Sequence, residues 1–271
     1  MVAANASIKG AVLNKRVSCE GCRDGVEPPF PFTMAFQPIV DAAHNRVWGY
    51  EALVRGTEGQ SAFSILSQVD DGNRYRFDQS CRTKAIELAG RLFPRDEHIK
   101  LSINFMPNAV YEPAACIRAS LGAAERVGMP LDRIMFEFTE DERTADPSHI
   151  KRIIAEYRRL GFATAIDDFG SGYSGLGLLA AFAPDLIKLD LQLIRGIDTD
   201  ARRQAIVAGI MGMSRALNFA VIAEGVETEA ELVLLKAAGI TLFQGFLFAR
   251  PAIEELPTVG WPADADARAA S

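Results

Sequence analysis

Residues 165–175 read AIDDFGSGYSG, and the fold turns on which half of this stretch carries the meaning. Its glycines, Gly170, Gly172 and Gly175, fit G-x-G-x-x-G, the spacing that cradles phosphate in dinucleotide-binding sheets. Asp190 stands about where that fingerprint expects its ribose-binding acid. Two facts oppose an NAD(P)-dependent oxidoreductase. The fingerprint belongs at the first strand of a βαβ unit, yet several β-rich and helical runs precede it here. The acids Asp167 and Asp168 also sit directly before the glycines, where they would repel a pyrophosphate unless cations intervened.

Working outward, the chain alternates. MAFQPIV and RVWGYEALVRG are β-rich runs separated by the turn-like DAAHN. A helical region follows through about residue 92, then KLSINFM, a helix near 109–127, and RIMFEFTE. A helix near 148–160 leads into FATAIDDF, and a short apolar helix precedes LIKLD. A helix over about 200–217 carries Ile206, Val207, Ile210, Met211 and Met213 at helical spacing. FAVIAEGV, a helix near 228–238 and LFQGFLF complete the series. Strands alternating with helices imply a parallel sheet with right-handed crossovers. Eight β candidates in this length fit an α/β fold of the (β/α)8 barrel type, a modified TIM barrel. The first two candidates are joined too tightly for a crossover, so the first strand pair is expected to be antiparallel.

The 271 residues carry a formal net charge of -6, which argues against a surface built to bind DNA or RNA. No apolar run approaches the ~20 residues that span a bilayer, and the polar N-terminus does not read as a signal peptide. A cytoplasmic protein without membrane insertion is expected. Residues 1–30 read as a tail or linker, 31–256 as the catalytic domain and 257–271 as a flexible tail. Cys19 and Cys22 form C-x-x-C in the first segment, but no second pair completes a zinc site, so they read as two thiols in a flexible segment. Cys81 and Cys116 fall on helical stretches and read as core.

In a barrel the C-terminal strand ends carry the active site. Read strand by strand, those positions give Glu51, Asn104, Glu137, the pair Asp167 and Asp168, Lys188, Glu224 and Gln244. Five carboxylates at one mouth would raise each other's pKa values unless cations neutralise them. Hard oxygen ligands of this kind suit Mg²⁺ or Mn²⁺. Adjacent Asp167 and Asp168 can serve two ions, the usual device for phosphodiester hydrolysis. Lys188 is then a candidate to position water or to neutralise charge on phosphate.

These residues resemble the EAL domain family of bacterial cyclic di-GMP phosphodiesterases. The resemblance runs in order through FQPIV, EALVRG, SINF, FEFTE, DDFGSGYSGL, IKLD, AEGVE and QGFLFARP, about residues 34–252. It implies a modified TIM barrel with an antiparallel first pair and hydrolysis of cyclic di-GMP to linear pGpG by two Mg²⁺ or Mn²⁺ ions. By similarity, Glu51, Asn104, Glu137 and Asp167 bind one ion, and Asp167 and Asp168 hold the other, with Glu224 acting directly or through water. Lys188 resembles the residue that holds the attacking water, with Glu51 and Glu224 beside it in the catalytic set. Gln244 resembles the glutamine that closes the network, and Arg55 the arginine that grips a substrate phosphate. Glu140 resembles a brace for the loop after the aspartates. Glu227 looks like a supporting residue, and Asp190 reads as the end of the IKLD strand. Gln37 either touches the ligand or is a structural amide at a strand end. The loop and helix after Asp168 resemble the family's homodimer element. The alternative function is a non-catalytic module that binds cyclic di-GMP or a protein partner.

Overall fold

The computed structural model describes residues 30–139, 147–172, 175–181 and 183–262. DAAHN leaves no room for a crossover, and the chain turns back on itself there. Strand β1 (Thr33–Asp41) runs antiparallel to β2 (Arg46–Arg55). At the turn Asn45 takes φ 47°, a left-handed conformation that Asn tolerates. Helices α1 (Ala62–Leu66) and α2 (Arg74–Leu92) then lead to β3 (Lys100–Asn104). Helices α3 (Pro113–Cys116) and α4 (Arg118–Val127) precede β4 (Ile134–Thr139). Next come α5 (Pro147–Leu160), β5 (Ala163–Phe169), α6 (Gly175–Ala181) and β6 (Leu186–Leu189). The chain continues through α7 (Leu191–Ile194), α8 (Ala201–Leu217), β7 (Ala220–Ala223), α9 (Glu229–Ala237), β8 (Leu242–Phe243) and β9 (Ala252–Ile253).

Strands β2 to β8 pair in chain order, all parallel. Strand β1 closes the barrel between β8 and β2, antiparallel to both. The expected barrel with an antiparallel first pair is what forms. Strand β9, which was not expected, adds to β1 through Ala35 and Phe36.

Other local expectations are corrected. The helix near 109–127 is broken, because Pro113 starts α3 afresh and Ile117 ends it. The helical region up to residue 92 is two helices, the first capped by the Ser61 side chain. On α8, Val207, Ile210 and Met211 are buried, while Ile206 points to solvent and Met213 is half-buried. Cys116 is buried as expected and Cys81 is half-buried. Cys19 and Cys22 lie outside the described residues. Residues 257–262 touch the barrel: the Gly260 N–H donates to the Phe248 carbonyl at 2.8 Å, and the Trp261 and Phe248 rings lie 6.5 Å apart. No helix of the described residues is long and apolar enough to cross a membrane.

One polar network lies within the packing outside the barrel. On α2, Arg82 and Asp78 are fully buried and ion-paired. Arg82 also donates to the Tyr157 hydroxyl of α5 at 3.0 Å, and Asp78 accepts from the Met106 N–H at 2.9 Å.

Candidate metal centre and cleft

The barrel interior is layered, and the strand period sets the layers. Alternate residues of a strand face the same side. Ile39, Met135, Ala165, Leu186, Ile222 and Leu242, one from each of six strands, form a separate buried apolar cluster. Two residues further toward the mouth, on those same strands or, for Glu224 and Gln244, just past their ends, come Gln37, Glu137, Asp167, Lys188, Glu224 and Gln244. On β1 the step runs backward because that strand is antiparallel. The apolar layer is thus a floor, and the polar residues stand on it.

Lys188, fully buried, occupies the centre. Its Nζ lies 2.8 Å from Glu224 Oε1, 3.1 Å from Asp167 Oδ1, 3.2 Å from Glu137 Oε2 and 3.3 Å from Glu51 Oε2. These contacts balance charge without aligned hydrogen bonds, so Lys188 Nζ and Asp167 Oδ1 keep unused bonding capacity. Asn104 donates 2.9 Å hydrogen bonds to both Glu51 and Glu137. Ser102 also donates to Glu137, a contact that sequence reasoning missed. Gln244 donates to Glu51 at 2.7 Å and to Gln37 at 3.1 Å, and Gln37 donates to the Ala249 carbonyl at 3.2 Å.

Asp168 reaches the mouth by a backbone irregularity. Its neighbour Asp167 points inward, so a regular strand would turn Asp168 outward. Instead the β5–β6 register shifts between Ile166 and Phe169, and Asp168 takes φ 52°. Such a bulge re-aims a side chain. Carboxylate oxygens of Asp167, Asp168 and Glu224 consequently lie within 4.8 Å of one another. Glu51, Glu137 and Asp167 form a second such group, and Asp167 is common to both.

Electrostatics distinguish the acids. Burial raises the Glu137 and Glu224 carboxyls well above the ordinary value, and their acidic neighbours add to it. Burial and the charge of Asp167 push Asp168 up to about 6. Glu51 corrects the expectation that every acid is raised. Burial pushes it up, but Lys188 and the hydrogen bonds from Gln244 and Asn104 outweigh that and hold it below its ordinary value. Burial opposes the Lys188 charge, yet its carboxylates hold its pKa well above the usual lysine value. Buried carboxyls crowded around a single ammonium are a donor set that fits divalent cations.

A cleft of about 260 Å³ opens above this centre. Glu51, Asp168, Glu224, Gln37 and Gln244 face it from below, and Leu191 and Phe246 form an apolar wall. Arg250 stacks over the Phe246 ring at 4.0 Å. Asp190 is not the end of a strand: its side chain caps α7 by accepting from the Gln192 N–H at 2.8 Å. Glu227 stands at the rim, ion-paired with Arg195. Arg55 lies at the end of β2 and donates to the Val54 carbonyl at 2.7 Å, away from the residues lining the cleft. Glu140 lies outside the described residues. Gly170, at φ 97°, brings its Cα side against Leu193, where an added Cβ would meet Leu193 Cδ1 at 2.3 Å.

A profile of the EAL domain matches residues 31–251. The chain belongs to the EAL domain family. Among curated relatives of this EAL protein is the blue light- and temperature-regulated antirepressor BluF of Escherichia coli K12. The two are 33% identical over 228 residues, which make up 84% of this chain and 56% of BluF. Another is the cyclic di-GMP phosphodiesterase NbdA of Pseudomonas aeruginosa, 31% identical over 80% of this chain and 28% of NbdA. The chain therefore spans little more than half of one relative and less than a third of the other. A standalone versatile EAL protein of Vibrio cholerae O395, solved with c-di-GMP, is 54% identical, with TM-score 0.82 over 86% of this chain and 97% of that one. Klebsiella pneumoniae BlrP1 in a manganese and cy-diGMP complex is 37% identical, with TM-score 0.81 over 88% of this chain and 60% of BlrP1.

Proposed function

We propose that this EAL protein hydrolyses cyclic di-GMP to linear pGpG with two divalent cations, Mg²⁺ or Mn²⁺. One observation carries the reading: two carboxylate groups sharing Asp167 sit beneath an open cleft, with Lys188 between them. Glu51, Asn104, Glu137 and Asp167 would hold one cation, and Asp167, Asp168 and Glu224 the other. Bound there, the cations supply Lewis acidity at the phosphate and an activated water. Lys188, at the centre of the four acids, would donate a hydrogen bond to that water. Gln244 fixes Glu51 by its hydrogen bond, and Arg55 would grip a substrate phosphate. Residues 31–256 constitute the catalytic domain, and the protein acts in the cytoplasm. Leu176 on α6 is 63% exposed, which supports the loop and helix after Asp168 as a homodimer contact.

Similarity to BluF favours a second reading, an EAL module that acts by binding a protein partner. The complete carboxylate set weighs against it. A product assay decides between them: cyclic di-GMP with Mn²⁺ or Mg²⁺, with and without EDTA. The proposal expects pGpG that disappears with EDTA and returns with added metal. Tight nucleotide binding without pGpG over hours in either metal would overturn it.

A further inference from the structure

The floor beneath the acids is apolar on six strands, and β3 breaks it. Ser102 stands opposite the floor residue Met135 in the β3–β4 register, two residues below Asn104. It is fully buried. A buried hydroxyl needs a hydrogen-bond partner, so an alanine would serve the floor as well unless the hydroxyl has a use. Its partner is Glu137 Oε2. Glu137 is itself fully buried. Asn104 donates to its Oε1 at 2.9 Å, and Lys188 Nζ lies 3.2 Å from its Oε2. Those two residues stand in the polar layer with Glu137, whereas Ser102 reaches it from the layer beneath.

The last torsion of a glutamate is broad, so the bonds to its two oxygens fix the plane of the carboxylate. Asn104 divides its amide between Glu137 and Glu51 and belongs to the set that would hold a cation. Lys188 is shared with three other carboxylates. The Ser102 hydroxyl has one hydrogen, and it goes to Glu137. Held from the floor side, the carboxylate keeps its remaining lone pairs for an ion. Hydrogen bonds behind metal-binding carboxylates orient them and tune affinity. We propose that Ser102 is a positioning residue for the cation of Glu51, Glu137 and Asp167, setting the Glu137 carboxylate from beneath. This rests on the reading of the carboxylate groups as a divalent-cation centre.

The test compares wild type, Ser102→Ala and Met135→Leu, the last a volume-conserving change in the floor that removes no donor. Calorimetry gives Kd for Mn²⁺ without nucleotide. Turnover of cyclic di-GMP is titrated against Mn²⁺, and thermal melting of the metal-free protein reports folding. Ser102→Ala is expected to weaken one Mn²⁺ site by about 10- to 100-fold, the range for losing a hydrogen bond behind a ligand. The Mn²⁺ concentration for half-maximal turnover should rise by the same factor. KM for cyclic di-GMP should not move, and excess Mn²⁺ should restore kcat. Met135→Leu should bind Mn²⁺ as wild type does. Wild-type Mn²⁺ affinity in Ser102→Ala overturns the proposal. So does an equal loss in Met135→Leu, or a kcat that excess Mn²⁺ does not restore, because each marks packing of the floor. Should Ser102→Ala not fold, Ser102→Cys, which keeps only a weak donor, carries the same comparison. A selective Mn²⁺ loss in a protein that makes no pGpG would sink the phosphodiesterase reading and leave the role of Ser102 standing. If wild type binds no Mn²⁺, both fall.

Discussion

The Lys188 ammonium lies 2.8 Å from the Glu224 carboxylate, and three further acids surround the same nitrogen. Removing one partner of a buried charge cluster costs about 3–5 kcal/mol. Lys188→Met should therefore lower the stability of metal-free protein by about that amount in urea unfolding. Excess Mn²⁺ should recover more stability in the variant than it adds to wild type. Turnover should fall at least about 100-fold, the scale of losing one preorganised donor at a reacting centre. A variant as stable as wild type without metal would show that the four acids do not need this ammonium.

Metal binding should depend on pH with a definite sign. The Asp168 carboxyl is raised to about 6, and Glu137 and Glu224 are raised well above their ordinary value. A carboxyl whose folded pKa exceeds its unfolded value stabilises the fold below the unfolded pKa, and that contribution is lost as pH rises through the folded value. Cations take the deprotonated form and so act in the opposite direction. The rise in Tm produced by Mn²⁺ should be small at about pH 5 and grow as pH passes 6. A pH-independent rise would count against these acids as ligands.

The buried Asp78–Arg82 pair gives a prediction that separates charge from packing. Burial raises the Asp78 carboxyl despite its partner, so desolvation outweighs the attraction. Asp78→Ala should cost about 3–5 kcal/mol, because it strands a buried guanidinium. It also frees the Met106 N–H. The double change Asp78→Leu with Arg82→Met should be far milder than the single one. Equilibrium unfolding of the three proteins checks the order.

Gly245 follows Gln244 where two backbones nearly touch. A Cβ there would lie 2.0 Å from the Val226 carbonyl oxygen and 2.4 Å from its nitrogen. Both neighbours are backbone, so neither can rotate aside. The Val226 N–H also donates to the Gln244 carbonyl, which ties Gln244 to this close approach. Gly245→Ala should cost about 1–3 kcal/mol as overpacking and lower turnover by displacing Gln244 from Glu51. Wild-type turnover in a destabilised variant would uncouple this contact from the site.

Much of the site was legible because it follows the strand period. Glu137, Asp167, Lys188 and Glu224 each stand two residues beyond an apolar floor residue, a spacing that local backbone geometry imposes and linear reading detects. The exceptions arise where the period fails. Asp168 faces the mouth through a bulge and a left-handed φ, neither marked by its neighbours in the chain. Asp190 reads as strand by pattern but caps a helix, because helix starts depend on a side chain bonding a backbone amide nearby. The LFQGFLF run forms strand only over Leu242–Phe243, because the chain turns after Gly245, whose carbonyl accepts from the Phe248 N–H at 3.1 Å.

By itself, the sequence determined the barrel, the antiparallel first pair and the set of acids near its mouth. These rest on alternation, connection length and residue type, all local quantities. Tertiary structure decided how that set is charged. Glu51 is held low and Glu137 high although both touch Lys188, because Gln244, far away in the chain, donates to Glu51, whereas burial and the charges of Glu51 and Asp167 raise Glu137. It also decided that Arg195 faces Glu227, since the buried Glu231 draws together two loops that no sequence period relates. Residue type follows from the strand period, but protonation and pairing follow from the distances that barrel closure sets.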